Sequence, residues 1–275
     1  MKVSLIEPRG FCFGVCRALK MLDAQLDKKP VVLHEIVHNK KIIQDYENKG
    51  VRFVENLDDI EDGTNVVLSA HGVGQRTEKI AKEKFNVTDT TCPFVMRIHR
   101  WVEKLESDNI PIVLIGKARH AEFIGTLGRL KNLQNVFIVS TIKDVDRLPN
   151  MPCIGVAMQT TLGVDDTEQI ILALKAKFKT VYLQNGICQA TTERQNAVKE
   201  ACKTHEMILV VGDTKSSNAK RLVEVAKASG VKSLLVETLT DVENIKFPAS
   251  VAITAAASAP ESLVQAVYHY LNSVR

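Results

Sequence analysis

Residues 92–116 read CPFVMRIHRWVEKLESDNIPIVLIG. A cysteine stands first, a proline suited to the first helical position follows it, and a helical stretch gives way to an apolar strand. The same order occurs twice more. Cys12 opens CFGVCRALKML and leads to VVLHEIV, while Cys188 opens CQATTERQNAVKEA and leads to MILVVG. Polar residues sit just beyond each strand, HNK at 38–40, RHAE at 119–122 and SSN at 216–218.

Each unit continues with a related piece, VENLDDIEDG, VSTIKDVDRL or VETLTDVENI. Each then closes on a strand that runs into small polar residues, in NVVLSAHGV, CIGVAMQTT and SVAITAAASAP. Cys12 to Asp59, Cys92 to Asp144 and Cys188 to Asp241 span 47, 52 and 53 residues. A helix and a strand lead to the next cysteine in RTEKIAKEKFNVTDTTC and TEQIILALKAKFKTVYLQNGIC, but the third unit ends on the helix ESLVQAVYHYLNSVR. The start of the chain, KVSLIEPRGFC, can supply the missing strand. The fold expected is α/β, with three pseudo-symmetric lobes of mainly parallel sheet at residues 1–91, 92–187 and 188–275, and residues 1–11 completing the third lobe's sheet. Ligands bind beyond the carboxyl ends of parallel strands, so the three sets of loops are expected to face one central site.

Composition narrows the function. The 275 residues carry a net charge of +4, which tolerates an anionic substrate but falls short of a nucleic-acid binder. The N-terminal apolar stretch is too short for a signal peptide, and no run reaches membrane-spanning length. A cytoplasmic protein without membrane or nucleic-acid partners is expected. There, six cysteines are not expected to form structural disulfides.

If the lobes are equivalent, Cys12, Cys92 and Cys188 face the axis from helix N-termini, where a thiolate is favoured. Structural zinc normally takes a close C-x-x-C pair, and this chain has none. An iron–sulfur cluster normally takes four cysteines, so three would leave one iron open, a catalytic arrangement. Cys16, Cys153 and Cys202 lack counterparts in the other units, and Cys16 is expected to be a small buried side chain.

The loops expected at the centre carry His38, Asn39, His71, Gly72, His120, Glu122, Thr160, Thr161, Ser216, Ser217, Asn218 and Ser258. Donors in such excess over one carboxylate suit a multiply charged anion such as diphosphate, each charge-assisted bond contributing roughly 1.5–3 kcal/mol. There is no Walker-type loop and no acidic pair for magnesium, so helix N-termini and side chains would hold the phosphates. Ser217 or Asn218 is expected to cap the helix that follows, and Thr192 with Gln195 could form a capping box. Glu122 is the natural proton donor, its pKa raised by desolvation, with Thr160 or Thr161 as relay.

The stretches PRGFCFGV, HEIVHN, SAHGV, DTTCPFV, MQTTLGVDDT, ICQATTERQ, SSN and ASAPE resemble the motifs of the 4-hydroxy-3-methylbut-2-enyl diphosphate reductases of non-mevalonate isoprenoid synthesis. They run from residue 8 to residue 261. The resemblance implies three lobes around a central 4Fe–4S cluster on Cys12, Cys92 and Cys188, with one iron open to substrate. It implies diphosphate binding by His38, His71, His120, Ser216, Ser217, Asn218 and Ser258. It makes Glu122 the proton donor, with His120 beside it and Thr160 contacting substrate nearby. The implied reaction is a two-electron reductive dehydroxylation to isopentenyl and dimethylallyl diphosphate, with ferredoxin or flavodoxin as electron donor. Two departures stand out. The family's GHxxHPEVEGT reads GKARHAEFIGT, with Lys117 and Ala121 replacing a histidine and a proline, and TAGASAP reads TAAASAP through Ala256. From the residues alone, an iron–sulfur hydro-lyase and a non-catalytic redox scaffold are the competing readings.

Overall fold

The computed structural model describes residues 1–184, 186–243 and 245–273. The chain opens with β1 (Lys2–Leu5), and α1 (Phe13–Asp23) begins directly after Cys12. The first lobe comprises β2 (Val31–Leu33), α2 (Lys40–Glu47), β3 (Arg52–Val54), β4 (Asn65–Leu68), α3 (Gln75–Lys84) and β5 (Asn86–Asp89). In the second, α4 (Pro93–Ser107) precedes β6 (Ile112–Ile115), α5 (Ala121–Leu127), β7 (Val136–Val139), α6 (Ile142–Asp146), β8 (Cys153–Met158), α7 (Val164–Lys177) and β9 (Thr180–Leu183). The third has α8 (Gln189–Cys202), β10 (Met207–Val211), α9 (Ser217–Ala228), β11 (Lys232–Val236), β12 (Ser250–Ala255) and α10 (Glu261–Ser273).

Among the described residues the strands form three four-stranded sheets, in the orders β3-β2-β4-β5, β7-β6-β8-β9 and β1-β12-β10-β11. Every pairing is parallel. Reversed, the third order reads β11-β10-β12-β1, so β1 holds the place that β5 and β9 hold in their sheets. Its register runs from Lys2 opposite Ser250 to Leu5 opposite Ile253. Three parallel α/β lobes are the architecture that the repeat implied.

Parallel sheets are covered on both faces, so their central strands are apolar without alternation. In β10 the run MILVV is buried at every residue, and VVL of β2 likewise. Each such aliphatic side chain contributes roughly 1.5–3 kcal/mol on leaving water. The repeated aspartates have a local cause. Asp144 closes a capping box with Thr141 at the start of α6, and Asp241 closes one with Thr238 before a single 3₁₀ turn, Leu239–Val242. In the first lobe Asn56 takes the cap position without a side-chain bond.

The chain packs as two compact units. Met1–Val15, His38–Ile42 and the described part of Gln189–Arg275 form one, which holds the third sheet. Cys16–Val37 and Ile43–Cys188 form the other, which holds the remaining two. Among the described residues no helix is long and apolar enough to cross a membrane.

Candidate active site

In the larger unit the candidate residues lie just past strand ends, on loops or in the first turn of the helix that follows. Cys92 is the N-cap of α4, with Pro93 in the first turn. Its N–H donates to the carbonyl of Ala70 at 3.0 Å, which ties it to the residue before His71. The His71 and His120 rings stand edge to face with centroids 6.2 Å apart.

Glycines permit that approach. Gly72 has φ +76°, and a Cβ there would lie 2.6 Å from Cε1 of His99. A Cβ on Gly125 of α5 would lie 2.9 Å from the Gly72 carbonyl oxygen, and one on Gly128 would lie 2.7 Å from the Cα of Gly74. The N–H of Gln75 donates to the Gly128 carbonyl at 2.8 Å. The loop carrying His71 is thus seated backbone to backbone on the helix that carries Glu122.

His120 caps α5, its Nδ1 accepting the N–H of Glu122 at 3.2 Å. An accepting Nδ1 leaves Nε2 to carry the proton of the neutral ring, the tautomer that donates to an anion. Ala121 takes the helix's first position in place of the family's proline without breaking this cap. Lys117 is exposed, and its backbone N–H donates to Oε1 of Gln159 at 3.2 Å.

Glu122 is only 3% exposed. Its Oε1 accepts the Thr160 N–H and its Oε2 the Thr160 hydroxyl, both at 2.8 Å. Burial pushes its pKa up from 4.5 to about 7 even though both Thr160 bonds pull it down. Thr160 in turn accepts the Cys188 N–H on its carbonyl at 3.3 Å. Thr161 is engaged elsewhere, accepting from Gln159 Nε2 at 2.8 Å. Of the two threonines, Thr160 is the one on Glu122.

The smaller unit holds Cys12, His38, Ser216, Ser217, Asn218 and Ser258. The Cys12 N–H donates to the Ala257 carbonyl at 3.1 Å, and the Ala257 N–H donates to Oδ1 of Asn218 at 3.0 Å. Asn218 is 4% exposed, and among the described residues its Nδ2 has no hydrogen-bond partner. A buried amide N–H₂ left without an acceptor is costly unless a ligand supplies one. The Ser258 hydroxyl donates to the His38 carbonyl at 3.0 Å, and Asn39 Nδ2 donates to the Ser258 carbonyl at 2.8 Å. Arg194 of α8 donates to the Gly10 carbonyl at 2.7 Å, holding the approach to Cys12.

Three local expectations are corrected. The N-cap of α9 is Ser216, whose hydroxyl accepts from the Ala219 N–H, so Ser217 and Asn218 stand in the first turn. Thr192 and Gln195 lie inside α8, which starts at Gln189 and leaves them no cap to form. Cys16 is exposed, because α1 buries Gly14, Val15, Ala18, Leu19 and Leu22 and turns residues 13, 16 and 20 outward. Asp213, Gln159, Gly125 and Gly128 escaped the sequence reading, since each acts on a segment distant in the chain. Among the described residues no three His, Cys, Asp or Glu side chains are arranged to hold a single metal ion.

Fold and site together define a three-lobed parallel α/β enzyme with a near-neutral carboxylic acid in its interior. The chain belongs to the LytB protein family, whose sequence profile matches residues 3–272. The 4-hydroxy-3-methylbut-2-enyl diphosphate reductase of Actinobacillus pleuropneumoniae serotype 5b (strain L20) is 40% identical over 285 residues, covering 100% of this chain and 91% of that protein. The solved E-1-hydroxy-2-methyl-but-2-enyl-4-diphosphate reductase of Plasmodium falciparum superposes with a TM-score of 0.89 at 35% identity, covering 99% of this chain and 87% of that one. A second solved structure, described as (E)-4-hydroxy-3-methyl-but-2-enyl diphosphate reductase, the terminal enzyme of the non-mevalonate pathway, gives 0.71 at 28% identity and full coverage of both chains.

Proposed function

We propose that this chain reduces (E)-4-hydroxy-3-methylbut-2-enyl diphosphate, removing its hydroxyl as water and yielding isopentenyl and dimethylallyl diphosphate. Two electrons and two protons balance the reaction, one proton leaving in water and the other entering the carbon skeleton. The observation that carries this reading is the buried Glu122–Thr160 pair, in a chain similar along its whole length to reductases of that name.

Cys12, Cys92 and Cys188 would hold a 4Fe–4S cluster. The donor set fits such a group: each cysteine is outside any disulfide, half-buried and placed at or next to a helix N-terminus. Ligands of a cluster bind different irons and need not converge on one point. When bound, the cluster supplies the electrons and a Lewis-acidic iron. A reduced ferredoxin or flavodoxin delivers the electrons, and the reducing cytoplasm suits cysteines kept out of disulfides.

Glu122 holds a proton near neutral pH because its site disfavours the carboxylate. With Glu122 protonated on Oε2, its 2.8 Å contact with the Thr160 hydroxyl reverses direction, so that Oε2–H donates to Thr160, which hands its own proton to the departing oxygen. His38, His71 and His120 bind the diphosphate together with Ser216, Ser217, Asn218 and Ser258. The unpartnered Nδ2 of Asn218 and the Nε2–H tautomer of His120 support that assignment.

The test is anaerobic turnover of the substrate with a chemically or enzymatically reduced donor. Five-carbon diphosphates lacking the hydroxyl are expected only when reductant is present. Turnover without reductant would instead identify a hydro-lyase.

A further inference from the structure

We infer that Asp213 is a positioning residue that sets the register of two anion-binding segments in the smaller unit, an inference that rests on the diphosphate reading above. Asp213 follows β10 and is 5% exposed. Its Oδ2 accepts the backbone N–H of Lys40 at 3.0 Å, and its Oδ1 accepts that of Lys215 at 2.7 Å. Its own carbonyl accepts the N–H of Ser216 at 2.9 Å. Lys40 stands two residues after His38, and Lys215 immediately precedes the cap of α9. One carboxylate therefore takes one N–H from each segment, across 173 residues of chain.

The same two regions are joined a second time. Asn39 Oδ1 accepts the Ile42 N–H at 3.0 Å while its Nδ2 reaches the Ser258 carbonyl, and Ser258 Oγ returns to the His38 carbonyl. Asn218 Oδ1 holds Ala257, next to Ser258. Among the described residues, the buried Nδ2 of Asn218 in the first turn of α9 is left without a partner by these bonds. That donor marks where an anion is accepted.

A buried carboxylate beside an anion site repels the ligand, so its presence calls for a compensating role. Backbone N–H bonds to a charged acceptor are the strong ones, and they fix orientation as well as distance. Segment 38–42 packs with the third sheet rather than with its own β2. The Asp213–Lys40 bond is one of the ties that hold it there.

The experiment titrates inorganic diphosphate into the full chain anaerobically, and records KM, kcat and visible absorbance on cluster-loaded samples. Asp213→Asn keeps the size and one acceptor, so diphosphate affinity should fall and KM rise by about tenfold. Asp213→Ala removes both acceptors and should cost about 100-fold. The effect falls on KM, with kcat at saturation within about threefold of wild type and absorbance unchanged. Diphosphate binding by Asp213→Asn within about twofold of wild type would overturn the inference, as would a loss confined to kcat or accompanied by loss of colour. If Asp213→Ala fails to fold, Asp213→Asn decides alone. Ser217→Ala, measured in parallel, separates the two levels. Weakened binding by Ser217→Ala beside unchanged Asp213→Asn removes only the positioning role, whereas Ser217→Ala binding as wild type does removes the diphosphate assignment itself.

Discussion

Replacing Glu122 with glutamine should slow turnover and, at the same time, stabilise the protein above neutral pH. The folded protein keeps the Glu122 proton up to about pH 7, whereas the unfolded chain releases it near 4.5. Between those values the folded state binds more protons, so the contribution is full below pH 4.5 and is lost as pH rises through 7. The gap corresponds to roughly 3 kcal/mol at pH 8. Glutamine escapes this loss without leaving a bond unmade. Its Oε1 can accept the Thr160 N–H at the position Glu122 uses, and its Nε2 can donate to the Thr160 hydroxyl, which now accepts. Urea unfolding followed by the fluorescence of the single tryptophan, Trp101, reads the difference directly. The Glu122→Gln and wild-type curves should differ little at pH 4.5 and diverge to about 3 kcal/mol in favour of the variant by pH 8. Turnover should fall by about 10²–10⁴-fold, the range of a lost general acid, with the cluster absorbance retained. Stability curves that run parallel across pH 5–8, or turnover within about threefold of wild type, would refute the account.

Cys92→Ser should give a folded protein that lacks the visible iron–sulfur absorbance after anaerobic reconstitution, and a colourless wild type that binds zinc stoichiometrically would sink the cluster assignment. Gly72→Ala puts a Cβ on a residue at φ +76° and 2.6 Å from His99. It should cost about 1–2 kcal/mol for the left-handed backbone and about 1–3 kcal/mol for overpacking, seen as a lower urea midpoint. His99 supplies a pH dependence of opposite sign to that of Glu122. Burial, and then the Arg129 charge, depress it to about 4, so its stabilisation is present above pH 6.5 and is lost as pH falls through 4. The stability margin of wild type over His99→Gln should therefore shrink by about 3 kcal/mol from pH 7 to pH 4, and a constant margin would show that folding leaves the pKa of the ring unchanged.

The lobes were legible because their signals are local. A cysteine before a helix, an apolar run for a fully covered strand and a Thr-x-x-Asp box at 141–144 and 238–241 each depend on a few neighbouring residues. Even the closing strand could be read, since the third unit ends on a helix and β1 was the one strand left to pair with β12. Other details were not legible. The sequence offered Thr160 and Thr161 alike, and only the tertiary fold, which brings the loop after β8 to Glu122, puts the first on Glu122 and the second on Gln159. Ser216, Ser217 and Asn218 are all good caps by type, and the turn set by Asp213 selects Ser216.

By itself, then, the chain's pattern determined the three-lobed parallel α/β architecture and the family, because hydrophobic period, caps and motifs are written in consecutive residues. The tertiary structure decided what those motifs meet. It took Glu122 out of water, and that burial moves its pKa to about 7 against the pull of the Thr160 bonds. It seated the His71 loop on glycines 125 and 128, and it brought Asp213 to the N–H of Lys40, 173 positions away. Desolvation, backbone close approach and long-range hydrogen bonds depend on where distant segments lie in space, and no local pattern carries that information.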